Sequence, residues 1–301
     1  MGAPNFKLPP FPLSPILAKE MAGRMRSARA YAVLTIYLAV ASGLSVLIYM
    51  VGVLGSPRTV GSTGAVGQVE FYFLVGMQLL LVSFVAPAFA AGAISREREN
   101  KTLEVLRMTP LTPAQIVQAK LISALGFTLL LLFATLPLFS LAFLLGGVEP
   151  RQLVIALCGV LASALLYTVL PLYLSTRFKT TASATLSAYA IVSSIVVGVP
   201  LAALIGAATI GQVLGPVSVL ASLLNTVFIA VISLSPISAF VASEAAFSAT
   251  GELWTLTSGA VGGGPSLTLP SPFLILTGVY LAASALLYAL TVRRLARIEQ
   301  Q

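Results

Sequence analysis

The chain has no histidine and no aspartate, and it has a single cysteine, Cys158. These absences exclude imidazole catalysis, a metal centre built from His and Asp, and an intrachain disulfide. Charge is scarce too: 17 basic and 9 acidic residues among 301. No Gly-x-x-x-x-Gly-Lys-Ser/Thr loop occurs, so the chain cannot cradle nucleotide phosphates by that device. No catalytic, metal or cofactor site is expected in it. Cys158 sits in an apolar run and reads as a small core hydrophobe.

What is present is apolar residue in long runs. The chain is 58% hydrophobic, with a mean hydropathy of +1.00. That composition belongs to a polytopic membrane protein, and the expected fold is all-α. A bilayer takes about 20 apolar residues per helix. Runs of that length fall at 31–54, 69–93, 121–145, 152–174, 182–205 and 273–292. The first run is too long for the core of a signal peptide and follows a basic segment, so no cleaved leader is expected.

The basic residues orient these spans. Lys7, Lys19, Arg24, Arg26 and Arg29 precede the first. Arg96, Arg98, Lys101, Arg107 and Lys120 follow the second. Arg177 and Lys179 follow the fourth, and Arg293, Arg294 and Arg297 form the tail. The other side holds only Arg58 and Arg151. The positive-inside rule then places both termini and the loop after span two in the cytoplasm of a cell-membrane protein. This topology accounts for the net charge of +8 without nucleic acid.

Parity settles the stretch 207–240, which is apolar but interrupted by Gly211, Gly215-Pro216 and Ser235-Pro236. A full crossing would put the basic tail outside. A re-entrant pair of half-helices fits both the breaks and the parity. The segment 241–272 is then expected to be an external loop, rich in Gly, Ser and Thr.

No Lys, Arg or Glu is expected in the middle of a span, with Glu70 and Glu149 near span ends. A pathway coupled to protons or voltage usually carries a buried charge, so this pattern weighs against a secondary carrier. The modest polarity of Gln78, Ser83, Thr128, Thr135, Ser163, Thr168, Ser193 and Ser194 suits helix packing. Pro87, Pro137, Pro171 and Pro200 are expected to kink or break helices.

Two segments stand out as candidates for function. In 13–29, Ser14 and Pro15 start a helix on which Leu17, Met21 and Met25 share one face. Lys19, Arg26 and Arg29 share another. This is a short basic amphipathic helix expected to lie in the membrane interface. The second candidate is the loop 95–113. It concentrates seven of the 26 charged residues: Arg96, Glu97, Arg98, Glu99, Lys101, Glu104 and Arg107. Ser95–Lys101 reads as the helical end of span two and Asn100-Lys101 as a turn. Thr102 then caps a short helix, Leu103–Met108, that offers Leu103 and Leu106 on one face. Thr112-Pro113-Ala114-Gln115 reads as a capping box opening the next helix. Spacing alone leaves two readings open, a docking helix or a juxtamembrane charge run that only anchors span two.

The stretch Gly92–Leu106, with Thr109-Pro110-Leu111-Thr112 and Lys120 after it, closely resembles the loop after the second span in type 2 ABC transporter permeases. The pattern is an acidic-basic cluster, then Thr-Leu-Glu, then a Thr-Pro-Leu-Thr turn. The match is specific in sequence over about thirty residues, and the likeness in layout covers nearly the whole chain. The resemblance implies that the short helix is a coupling helix seated in a cytoplasmic ATPase through Thr102, Leu103, Glu104 and Leu106. It implies a polar network of Glu97, Arg98, Glu99 and Lys101 at the end of span two. It also places Lys19, Arg24 and Arg26 beside the ATPase. ATP and Mg would be bound by that partner. A second permease chain, identical or related, and membrane lipids would be the other partners. The expected function is an ATP-driven exporter permease working by alternating access. A motor-independent carrier and a non-transporting membrane anchor are the alternatives.

Overall fold

The computed structural model describes residues 28–55, 62–101, 112–202, 204–206, 219–252, 254–258 and 267–299. Among the described residues six helices are long and apolar enough to cross a membrane: Tyr31–Gly52, Gly64–Glu99, Pro113–Leu145, Pro150–Arg177, Thr181–Gly206 and Pro272–Arg297. Among the described residues the fold is all-α but for one small pair of strands. The chain runs through α1 (Ala28–Gly55), α2 (Ser62–Ala90), α3 (Ser95–Glu99), α4 (Pro113–Ala134), α5 (Leu136–Leu145), α6 (Pro150–Arg177) and α7 (Thr181–Ser193). A π-helical turn, Ser194–Gly198, extends α7. Then come α8 (Val219–Ile232), α9 (Pro236–Thr250), strands β1 (Thr255–Ser258) and β2 (Leu267–Pro270), and α10 (Pro272–Glu299).

The two strands pair antiparallel with Thr255 opposite Pro270. The expected loop 241–272 therefore contains regular structure. Helix α9 continues to Thr250 and stops at Gly251, whose φ of 72° suits glycine. The signal missed was Ser235-Pro236 at a helix start followed by strong helix formers through Ala246.

Helix α6 is the hub, packed against α10 and α2. Gly159 permits the α6–α10 approach: a Cβ there would stand 1.8 Å from the Phe273 ring. A chain of aromatic contacts, Phe139–Phe71–Phe240–Phe273, then binds α5, α2, α9 and α10. The third span is two helices, because Thr135 and Pro137 interrupt it. The Thr135 side chain donates to the Leu132 carbonyl and accepts from Gln78 Nε2 on α2, which ties the break to its neighbour. Pro87 and Pro171 lie inside α2 and α6. Most hydroxyls in the spans satisfy their own helix, as Ser83 does with Leu79, Thr128 with Ala124, Ser163 with Gly159 and Thr168 with Ala164.

Cys158 corrects an expectation: it is exposed on α6 rather than packed in the core. In a membrane protein an apolar neighbourhood does not separate core from lipid-facing surface, because lipid is as apolar as leucine. The same holds for the exposed faces of α1, α7 and α10, which display Ile36, Leu47, Leu186, Val197, Leu281 and Leu286.

Candidate functional site

The charged run begins where α2 ends. The backbone turns at 91–94 and restarts as α3, with Ser95 fully buried at the join. Beneath it Ala93 and Ile94 pack with Ile116 and Val117 of α4, Leu172 of α6 and Leu295 of α10. An apolar platform thus carries the charges, which reach α4, α7 and the corner between α6 and α7.

Lys120 of α4 donates to Glu97 Oε1 at 2.6 Å, and the Lys120 side chain is 3% exposed. Glu99 reaches the start of α7. Its Oε1 accepts the Thr181 N–H at 2.9 Å, and its Oε2 accepts the Thr181 hydroxyl. A carboxylate at a helix N-terminus satisfies a free N–H and complements the helix dipole. Thr180 caps the same helix through the Ser183 N–H. Arg98 Nη1 donates to the Phe178 carbonyl at 3.4 Å, and Ser95 Oγ donates to Thr181 Oγ1 at 3.4 Å. Glu97 thus grips α4 on one side, while Arg98 and Glu99 grip the 178–181 corner on the other.

Asn100 and Lys101 end α3 in a turn, and Lys101 has a φ of 56°, in the left-handed region. The capping box at the far side of the loop is present: Thr112 N–H donates to Gln115 Oε1 at 2.9 Å, and Gln115 N–H donates to Thr112 Oγ1 at 3.4 Å. Both ends of the segment 102–111 are therefore fixed. Thr102, Leu103, Glu104 and Leu106 lie outside the described residues. So do Leu17, Lys19, Met21, Arg24, Met25 and Arg26 of the amphipathic segment. Of the expected network, Glu97, Arg98 and Glu99 make specific contacts, whereas Lys101 is exposed at the turn. Lys120, Phe178 and Thr181 complete the constellation. Sequence reading of the site had no means of finding Phe178 and Thr181, which contribute a carbonyl and a helix N-terminus from 80 residues away.

A second polar cluster sits at the opposite end of α6. Gln152 Nε2 donates to Glu244 Oε2 at 2.8 Å, and the Tyr72 hydroxyl of α2 lies near Glu244. Gln152 Oε1 in turn accepts the Glu149 N–H at 2.7 Å. Burial holds the Glu244 carboxyl above the usual carboxylate range, and the Gln152 bond and the nearby Tyr72 hydroxyl oppose that shift. Ser243 Oγ accepts the Phe273 N–H at 3.1 Å and lies 3.1 Å from Ser271 Oγ. A small cavity separates these groups from Phe240 and Ile155. Deeper in the bundle, the Tyr280 hydroxyl donates to the Leu234 carbonyl between α8 and α9 at 2.7 Å. Tyr167 lies 3.1 Å behind it. Helix α9 is thus pinned at its start to α10 and near its end to α6.

Among the described residues there is no cluster of His, Cys, Asp or Glu that could hold a metal ion. In both clusters side chains tie neighbouring helices together. No curated protein matches the chain. The family model of the ABC-2 family transporter proteins matches residues 14–297, almost the whole chain. The chain belongs to the ABC-2 family of transporter proteins, as a membrane-embedded permease subunit whose family works with an ABC ATPase.

Proposed function

We propose that this permease couples ATP hydrolysis on a separate cytoplasmic ATPase to export of its cargo by alternating access. The supporting observation is the fixing of both ends of 102–111. On one side Glu97 and Glu99 tie the loop base to α4 and α7. On the other the Thr112 capping box continues directly into α4. A push delivered to Lys101 and Thr112 then reaches spans two, three and five together. Thr102, Leu103, Glu104 and Leu106 seat in the ATPase. Lys19, Arg24 and Arg26 on the interfacial helix flank it. ATP and Mg bind to the ATPase, and this chain supplies only contacts that differ between its two states, as coupling requires.

The charge distribution supports a cytoplasmic loop and cytoplasmic termini in the cell membrane. Helices α8 and α9 are the re-entrant pair. The reading is supported by the Leu234–Tyr280 bond at the break, by Glu244 beside the start of α6, and by the packing of α8 on β1. Lipids cover the exposed apolar faces, and a second permease chain completes the pathway. The test is Leu103→Asp combined with Leu106→Asp. Co-purification with the cognate ATPase is lost while membrane insertion persists. Unchanged co-purification overturns the proposal.

A further inference from the structure

Helix α1 packs mainly on α2, and the two form an antiparallel pair whose distal ends meet at Gly52 and Val66. Just inside that end lies Glu70. It is 3% exposed, and neither of its carboxyl oxygens has a hydrogen-bond partner. The Ser45 hydroxyl of α1 faces this carboxyl, yet the geometry closes no hydrogen bond. Ser45 Oγ is itself buried and unpartnered. Ser45 departs from the habit of its neighbours. Ser42 donates to Leu38, Ser83 to Leu79, Ser284 to Tyr280 and Thr291 to Leu287, each bonding its own helix one turn back. Ser45 forgoes that bond and faces the acid instead. Three oxygens with unused lone pairs therefore converge between two helices.

A buried carboxyl with nothing to pair it is costly in an apolar setting. Among the described residues no cation of the protein relieves it, and Arg58, between α1 and α2, lies outside them. The titratable groups on the elements packed around the distal half of α2 are few. They are Tyr49 on α1, Tyr72 on α2, the Glu149–Arg151 pair at the start of α6 and Glu244 on α9, while α5 has none. Arg151 is already held by Glu149. Glu244 is held by Gln152.

We infer that Glu70 and Ser45 form a binding site for a small monovalent cation, wedged between α1 and α2 at the end of the bundle away from the charged loop. The carboxylate supplies the charge and Ser45 Oγ a neutral oxygen, the hard-donor chemistry that sodium or a proton accepts. An intramembrane acid of this kind is a functional site by default. Occupancy neutralises Glu70 and lets the α1–α2 contact close. Loss of the cation leaves the charge buried and favours separation of α1 from α2. The site does not require the ATP-driven reading and stands or falls apart from it.

The test is thermal unfolding of the purified full-length chain, comparing wild type with Glu70→Gln and Ser45→Ala. Sodium chloride replaces choline chloride at constant ionic strength, and a second series varies pH at fixed salt. If the site takes sodium, the wild-type Tm rises with sodium and that of E70Q does not. Ser45→Ala then raises the half-saturating sodium about tenfold. If the site takes a proton, sodium has no effect, and the wild-type Tm falls with rising pH by more than that of E70Q. Should E70Q fail to fold, the same two series on Ser45→Ala, which keeps the carboxyl, decide the matter. Wild-type and variant curves that coincide in both series overturn the inference.

Discussion

The Lys120 ammonium lies 2.6 Å from the Glu97 carboxylate and joins the end of the second span to the start of the third. Lys120 is nearly inaccessible to solvent, so the attraction is weakly screened. Replacing Lys120 by Met leaves the Glu97 charge on an apolar platform without its ammonium. The expected loss is roughly 2–3 kcal/mol. The double variant Lys120→Met, Glu97→Gln recovers part of it, because no uncompensated charge remains. Denaturation of the four members of this double-mutant cycle measures the coupling.

Glu99 closes the N-terminus of α7 through Thr181. Replacing Glu99 by Ala frees the Thr181 N–H and removes the anion from the helix end. Amide hydrogen exchange is expected to accelerate at 181–184, with little change in α6. Uniform protection in both helices would show that Thr180 alone caps α7.

Gly159 admits the Phe273 ring at the α6–α10 contact. Gly159→Ala puts a methyl group where that ring lies, and the cost of such overpacking is about 1–3 kcal/mol. Adding Phe273→Leu restores room and is expected to return part of the lost stability. A lowered Tm in the single variant and a partial recovery in the double variant are the outcomes to look for.

Glu244 gives stability a pH dependence. Its folded-state carboxyl is held above the ordinary value of 4.5 by burial, so the folded state keeps its proton where the unfolded chain has lost it. Stability from this group is therefore greatest below 4.5 and declines as pH rises to the raised folded value. Glu244→Gln keeps hydrogen-bonding capacity toward Gln152 and removes the titration. Its Tm is expected to fall less than that of wild type between the two values. Parallel curves would mean that Glu244 titrates normally.

Six spans were legible because length and apolarity suffice to mark a bilayer crossing. The Thr112–Gln115 capping box was legible because both partners lie within four residues. Long-range pairings were not. Glu97 and Glu99 read as charges with no stated targets, since nothing local distinguishes Lys120 or the Thr181 N–H as a partner. Glu244 was read as part of an external loop because its burial depends on Gln152, 92 residues earlier. Cys158 failed for the opposite reason: a uniformly apolar helix carries no pattern that tells lipid from core. The π-helical turn at Ser194–Gly198 has no sequence signal that we can name.

The most direct test of the coupling claim is site-specific cross-linking of Leu106→Cys to the partner ATPase, in a Cys158→Ser background. The account predicts a cross-linked permease–ATPase pair whose yield changes when ATP is added, because the seated segment moves with the ATPase. A Leu106→Cys permease that co-purifies with the ATPase but never cross-links to it, with or without ATP, would contradict the account.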